Sequence, residues 1–156
     1  MKITVISVGE QTSPLLSQAE AEYLRRANRY GRIELVWIRG EKLNPKTAPK
    51  KAMAREADRI RGRITPGSVT VAMDRTGKAL DSEAFAAMID SWRNRGRKQI
   101  AFIIGGPFGL DAEFVRECQV RLSLSAMTFQ HDMARMILLE QIYRAHTILK
   151  GEPYHK

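Results

Sequence analysis

Only one cysteine, Cys118, occurs among the 156 residues, which excludes an internal disulfide framework and a cysteine-based zinc cage. The simplest setting for such a chain is a reducing, cytoplasmic one, with Cys118 as a buried, inert thiol. Long hydrophobic runs are also missing. Ile100–Ile104 is far short of the ~20 apolar residues that cross a bilayer, so no membrane partner is expected. The opening Lys2–Gly9 is too short for a signal peptide's apolar region and has no small-residue cleavage site. Several catalytic templates are absent as well. There is no Gly-x-x-x-x-Gly-Lys-Ser/Thr phosphate loop, and no Gly-x-Gly-x-x-Gly follows the first strand. No Gly-x-Ser-x-Gly elbow surrounds Ser123 or Ser125. His131, His146 and His155 lack HExxH spacing and cysteine companions, so no metal site is expected.

Acidic residues are scarce relative to basic ones: 17 Asp and Glu against 26 Lys and Arg, a formal charge of +9. A folded domain this basic favours polyanionic partners, because each neutralised phosphate releases condensed counterions. The basic clusters are Arg25-Arg26, Lys46 to Lys51, Arg59 to Arg63 and Arg93 to Lys98. They are scattered rather than gathered on one amphipathic helix, which favours nucleic acid over a membrane surface.

Length predicts one domain, spanning 1–156. Strand-like runs alternate with helical ones, which predicts an α/β fold with a mostly parallel sheet flanked by helices. The expected strands are Ile3–Val8, Ile33–Ile38, Ser68–Met73, Gln99–Ile104 and Val120–Leu124. Helical spacing joins Leu15 to Ala27, Lys50 to Arg63, Asp81 to Gly96 and Met133 to Lys150, with a short helix from Asp111 to Cys118. Gly40–Pro49, Asp74–Ala79 and Ser125–Asp132 read as loops. On the last helix, Ala134, Ile137, Leu138, Ile142, Ala145, Ile148 and Leu149 make one apolar arc. Met136, Leu139 and Tyr143 make a second on nearly the opposite side. Either a subunit interface covers that second stripe, or the helix is sunk in its own core.

Candidate chemistry gathers at strand ends. Gly105-Gly106-Pro107-Phe108-Gly109 follows the most apolar strand, where a parallel sheet offers its ligand crevice. Glycine there lets backbone approach a ligand closely. Met73-Asp74 and Leu124–Phe129 are the other strand ends that suit an apolar pocket with backbone hydrogen bonds. Alone, each is equally readable as an ordinary turn.

Taken together, Ile104–Leu110, Leu122–Phe129, Glu140–Ala145 and Pro153-Tyr154-His155-Lys156 resemble the RlmH family of SPOUT methyltransferases. The likeness begins at Lys2–Gly9, includes Glu22–Arg26 and is densest after Ser68. The resemblance implies methylation of N3 of a pseudouridine in large-subunit (23S) ribosomal RNA, and a SPOUT fold with a C-terminal trefoil knot. It implies a pocket for S-adenosyl-L-methionine (SAM) formed mainly by 73–131, with contacts from Met73, Gly105, Leu124, Ser125, Ala126, Met127, Thr128 and Phe129. It also implies a homodimer. With no RRM, KH or zinc-knuckle module to read sequence, the expected partner is ribosomal RNA recognised by its folded shape, as on the assembled ribosome. By chemical type His155 is the candidate base or orienting group, Tyr154 can stack or hydrogen-bond, and Arg144 can hold a phosphate or carbonyl. The bland alternatives are a frayed tail and an Arg144–Glu140 helix pair. Gln130 stands where the family commonly has proline, which is expected to loosen the His131 side of the pocket. The rival classes are a non-catalytic basic RNA-binding module and a nucleotide-dependent α/β enzyme.

Overall fold

Gln99–Ile104, read QIAFII, can bury both faces of a strand, and it occupies the centre of the sheet. The computed structural model describes residues 1–10, 13–42 and 48–155. Its elements run β1 (Lys2–Val8), α1 (Pro14–Ala27), β2 (Arg32–Ile38), α2 (Pro49–Arg61), β3 (Val69–Ala79), α3 (Ser82–Asn94), β4 (Gln99–Ile104), α4 (Ala112–Glu117), β5 (Val120–Ser123) and α5 (His131–Lys150). The strands form one sheet in the order β2-β1-β4-β3-β5, and every pairing is parallel. Alternation along each strand divides the core. Ile3, Val5, Ile100 and Phe102 face α1, α3 and α5, whereas Ile6, Val8, Ala101 and Ile103 face α2 and α4.

Caps explain several helix boundaries. Asp81 accepts from Ala84 N at 2.7 Å to start α3, and Asp111 accepts from Glu113 N and Phe114 N to start α4. Gly151 ends α5 at φ 66°, with Glu152 N donating back to Thr147 O at 2.9 Å. Cys118, just past α4, is half-buried, and that burial raises its thiol pKa to about 11, as suits an inert thiol.

Two expectations are corrected, and an open alternative is narrowed. Asp74–Ala79 is not a free loop: β3 continues to Ala79, and both Met73 and Lys78 pair with Leu122 of β5, so the residues between them bulge out of register. Asp74 holds that bulge by accepting from Thr76 N at 2.8 Å. Gly77 lies flat on β5, where a Cβ would come within 2.7 Å of the Arg121 and Leu122 backbone. Ser125–Asp132 is not wholly loop either, since α5 starts at His131 and takes Asp132 into its first turn. Finally, two members of the second stripe of α5, Leu139 and Tyr143, are covered within the chain, as in the reading that sinks the helix in its own core. Leu139 is fully buried by α1 and α3 of the same chain, and Tyr143 packs against Tyr23 and Tyr30. The expected loop Gly40–Pro49 and the basic cluster beginning at Lys46 fall partly outside the described residues, as does Lys156.

Candidate functional site

The β3 bulge and the carboxyl ends of β4 and β5 open onto a cavity of about 860 Å³. That is near the upper end of the usual range for small-molecule sites. Three segments make its walls: Met73–Thr76 from the β3 bulge, Ile104–Leu110 after β4, and Leu122 to Ala134 around the start of α5. Of the sequence-derived contacts, Met73, Gly105, Leu124, Ser125, Met127, Thr128 and Phe129 line it, while Ala126 lies in the same loop but not in the wall.

Local chemistry holds these segments together. A Cβ on Gly105 would come within 2.4 Å of the Gly109 carbonyl carbon and 2.7 Å of Leu110 N, so the loop closes on itself only if residue 105 is glycine. Gly109 N donates to Gly106 O at 2.9 Å, and Gly109 takes φ 82° to finish the turn. The Ser123 hydroxyl lies 2.8 Å from Ser125 O and 3.1 Å from Arg75 O, tying the β5 loop to the β3 bulge. Ser125 Oγ accepts from Met127 N at 3.0 Å. The mouth is apolar: Phe108 is 47%, Met127 74% and Phe129 36% exposed. Behind the glycine loop, Glu56 accepts from Glu41 N at 2.8 Å, and its burial raises its pKa. Gln130 sits at φ −58°, within the range a proline ring would impose, so its backbone keeps the conformation expected of the commoner residue.

Beneath the start of α5 lies a cluster that the sequence reading missed. Arg135 is fully buried, with Nε 2.7 Å from Glu20 Oε1, Nη2 2.9 Å from Asp132 Oδ1, and Nη1 donating to Ser7 Oγ at 3.1 Å. Its guanidinium lies 4.0 Å from the centre of the Trp37 ring. Asp132 Oδ1 is also 3.2 Å from His131 Nε2, and His131 lines the cavity. The available signal was Asp-x-x-Arg at one-turn spacing on α5, with Glu20 on the inner face of α1.

Arg144, Tyr154 and His155 come together, but not at this cavity. Glu140 accepts from Arg144 Nε at 2.9 Å and Nη2 at 2.6 Å, and from the Tyr154 hydroxyl at 3.2 Å. Arg144 also lies 4.6 Å from the Tyr154 ring centre, and its Nη1 is 3.5 Å from His155 Nδ1. The Tyr154 ring packs edge-on against Tyr143 at 4.7 Å, so the tail is folded onto α5 rather than frayed. Burial, followed by its hydrogen-bonding neighbours, raises the Tyr154 pKa and keeps the phenol neutral. Along α5, Arg144 is 13 residues from His131, about 20 Å at 1.5 Å per residue.

A family model described as predicted SPOUT methyltransferase matches residues 1–155. The chain belongs to the SPOUT methyltransferase family. Ribosomal RNA large subunit methyltransferase H of Carboxydothermus hydrogenoformans is 40% identical over 159 aligned positions, covering all of both chains. Among solved SPOUT-like folds, the tRNA (m1G37) methyltransferase of Aquifex aeolicus superposes with TM-score 0.59 at 12% identity, covering 100% of this chain and 73% of its own. A Legionella pneumophila protein solved with SAM bound gives TM-score 0.50 at 13% identity, covering 93% of this chain and 66% of its own. The SPOUT assignment bears out the α/β parallel fold expected from sequence. No helix among the described residues is long and apolar enough to cross a membrane.

Proposed function

We propose that this SPOUT protein transfers a methyl group from SAM to N3 of a pseudouridine in large-subunit ribosomal RNA, acting in the cytoplasm as a homodimer on the assembled ribosome. The observation that carries the reading is the cavity where the β3 bulge meets the ends of β4 and β5, in a chain that aligns end to end with ribosomal RNA methyltransferases. We take these three loops to form the family's trefoil knot.

The residues present fit SAM. Met73, Leu124 and Phe129 offer apolar walls for an adenine ring, and the Gly105 backbone approaches without a side chain between. Ser125, Met127 and Thr128 line the same pocket, and Ala126 lies in their loop. SAM bound there carries an electrophilic methyl on sulfonium sulfur, whose displacement needs no metal. The protein's own work is then to hold the acceptor nitrogen in line, exclude water and manage its proton.

Tyr154, His155 and Arg144 are proposed to orient the acceptor. Arg144 stands ten residues, about 15 Å along α5, beyond Ala134, and neither Tyr154 nor His155 lines the cavity, so we take the three to serve the cavity of a second protomer. The exposed apolar rim of Phe108, Met127 and Phe129 favours such a cover. Arg75 lines the cavity and can meet a phosphate, whereas Arg93–Lys98 precedes β4 and lies at the opposite end of the sheet.

Removing Tyr154–Lys156 is expected to lower methylation of ribosomes by about 100-fold or more while leaving SAM affinity unchanged in calorimetry. The intact protein should methylate whole ribosomes well and a short RNA loop poorly, because it carries no module that reads single-stranded sequence. Normal turnover by the truncated protein would remove the tail's role. No methyl transfer by intact protein to any ribosomal RNA would remove the functional reading itself.

A further inference from the structure

At the β1 side of the cavity stands a histidine whose ring is fixed from behind. His131 Nε2 lies 3.2 Å from Asp132 Oδ1, and the same ring edge faces Gly9, where an added Cβ would sit 3.5 Å from Nε2. Asp132 is fully buried and held in turn by Arg135 at 2.9 Å. A carboxylate only accepts, so in the tautomer that carries its hydrogen on Nε2, facing Asp132, Nδ1 keeps a lone pair. A carboxylate that orients an imidazole with one open nitrogen is the arrangement of a general base.

Position favours the acceptor over the cofactor as its target. Gly9 follows β1, and β4 separates β1 from β3 in the sheet. At about 4.8 Å per strand, the His131 wall lies roughly 10 Å across the sheet from Met73. It therefore flanks the space bounded by the proposed SAM loops. His155 is less suited to take a proton. Its Nδ1 already faces a donor, the Arg144 guanidinium at 3.5 Å, and its Nε2 lies 3.6 Å from Glu83 Oε1.

We propose that His131 is the base that removes the acceptor's imide proton, with Asp132 as its positioning residue. This rests on the methyl-transfer reading above. The N3–H bond breaks and its proton passes to His131 Nδ1. The freed nitrogen pair forms the N–CH3 bond while the C–S pair stays on sulfur, which departs as a neutral thioether. The imidazolium then returns its proton to water, and Asp132 remains ionised throughout.

The test uses full-length protein, unmethylated ribosomes and SAM, with SAM affinity measured separately by calorimetry. His131→Ala and His131→Asn should bind SAM within about threefold of the parent and keep the ribosome KM, while kcat falls about 10²–10⁴-fold. Asp132→Asn should lower kcat by about tenfold or more at unchanged KM, which a merely structural role would not do selectively. A kcat for both His131 variants within about threefold of the parent would overturn the proposal. So would loss of SAM affinity with kcat retained at saturating SAM, which would make the ring part of the cofactor site. If the parent protein methylates no ribosomal RNA, the functional reading fails and takes this inference with it. If the parent is active and the His131 variants match it, only this inference fails.

Discussion

Replacing Arg135 by methionine should destabilise the fold by about 3–5 kcal/mol, the cost of leaving buried carboxylates without their cation. Glu20 and Asp132 are 3% and 0% exposed, and Arg135 supplies both with a contact under 3 Å. Methionine keeps much of the volume, so the loss isolates charge from packing. In a domain of this length that stability change moves the thermal midpoint by about 10 °C. The triple variant Glu20→Gln, Asp132→Asn, Arg135→Met should recover most of the loss, because a neutral cluster leaves no uncompensated charge. Chemical denaturation of the three proteins measures this. A loss under about 1 kcal/mol for Arg135→Met would show that Arg135 is not what compensates the two acids.

Gly105→Ala should weaken SAM binding by about 100-fold, some 2.7 kcal/mol. The added methyl would stand 2.4 Å from the Gly109 carbonyl carbon, inside any permitted contact, and both partners are backbone. The loop must open, and its wall of the cavity moves with it. Overpacking of this kind also costs about 1–3 kcal/mol of stability. Gly109→Ala is the control. Its added Cβ meets nothing within 4 Å, but φ 82° penalises a side chain. That variant should lose about 1–2 kcal/mol of stability with a smaller loss of affinity. Parent-like SAM binding by Gly105→Ala, read by calorimetry, would separate the glycine loop from the ligand site.

Strands rich in β-branched and large apolar residues were legible in the sequence: Ile3–Val8, Ile33–Ile38 and Gln99–Ile104 all stand within a residue of their expected limits. The second half of β3 was not. Asp74-Arg75-Thr76-Gly77-Lys78 has the composition of a turn, and a turn is there locally. It is built into a strand by an Asp74 side-chain bond and by Gly77 lying on β5, neither of which leaves a periodic signal.

The cavity residues at Met73, Gly105 and Leu124–Phe129 were legible because strand ends and glycines mark where backbone can meet a ligand. Arg135 and Asp132 were passed over because charged residues are usually solvated. Only the three-dimensional meeting of α1, α5, β1 and β2 shows that these two are buried. The tail was ambiguous for a related reason. Tyr154 and His155 look like a loose end in sequence, and what orders them is a set of contacts with Glu140, Tyr143 and Arg144, 11 to 14 residues back.

The most direct test of the account is a crystal structure of the protein with SAM. The account predicts density for the adenosyl group between Met73, the Gly105 backbone and Leu124–Phe129, with the sulfonium turned toward the His131 wall. Density at another surface, or a cavity that stays without ligand at saturating SAM, would contradict it.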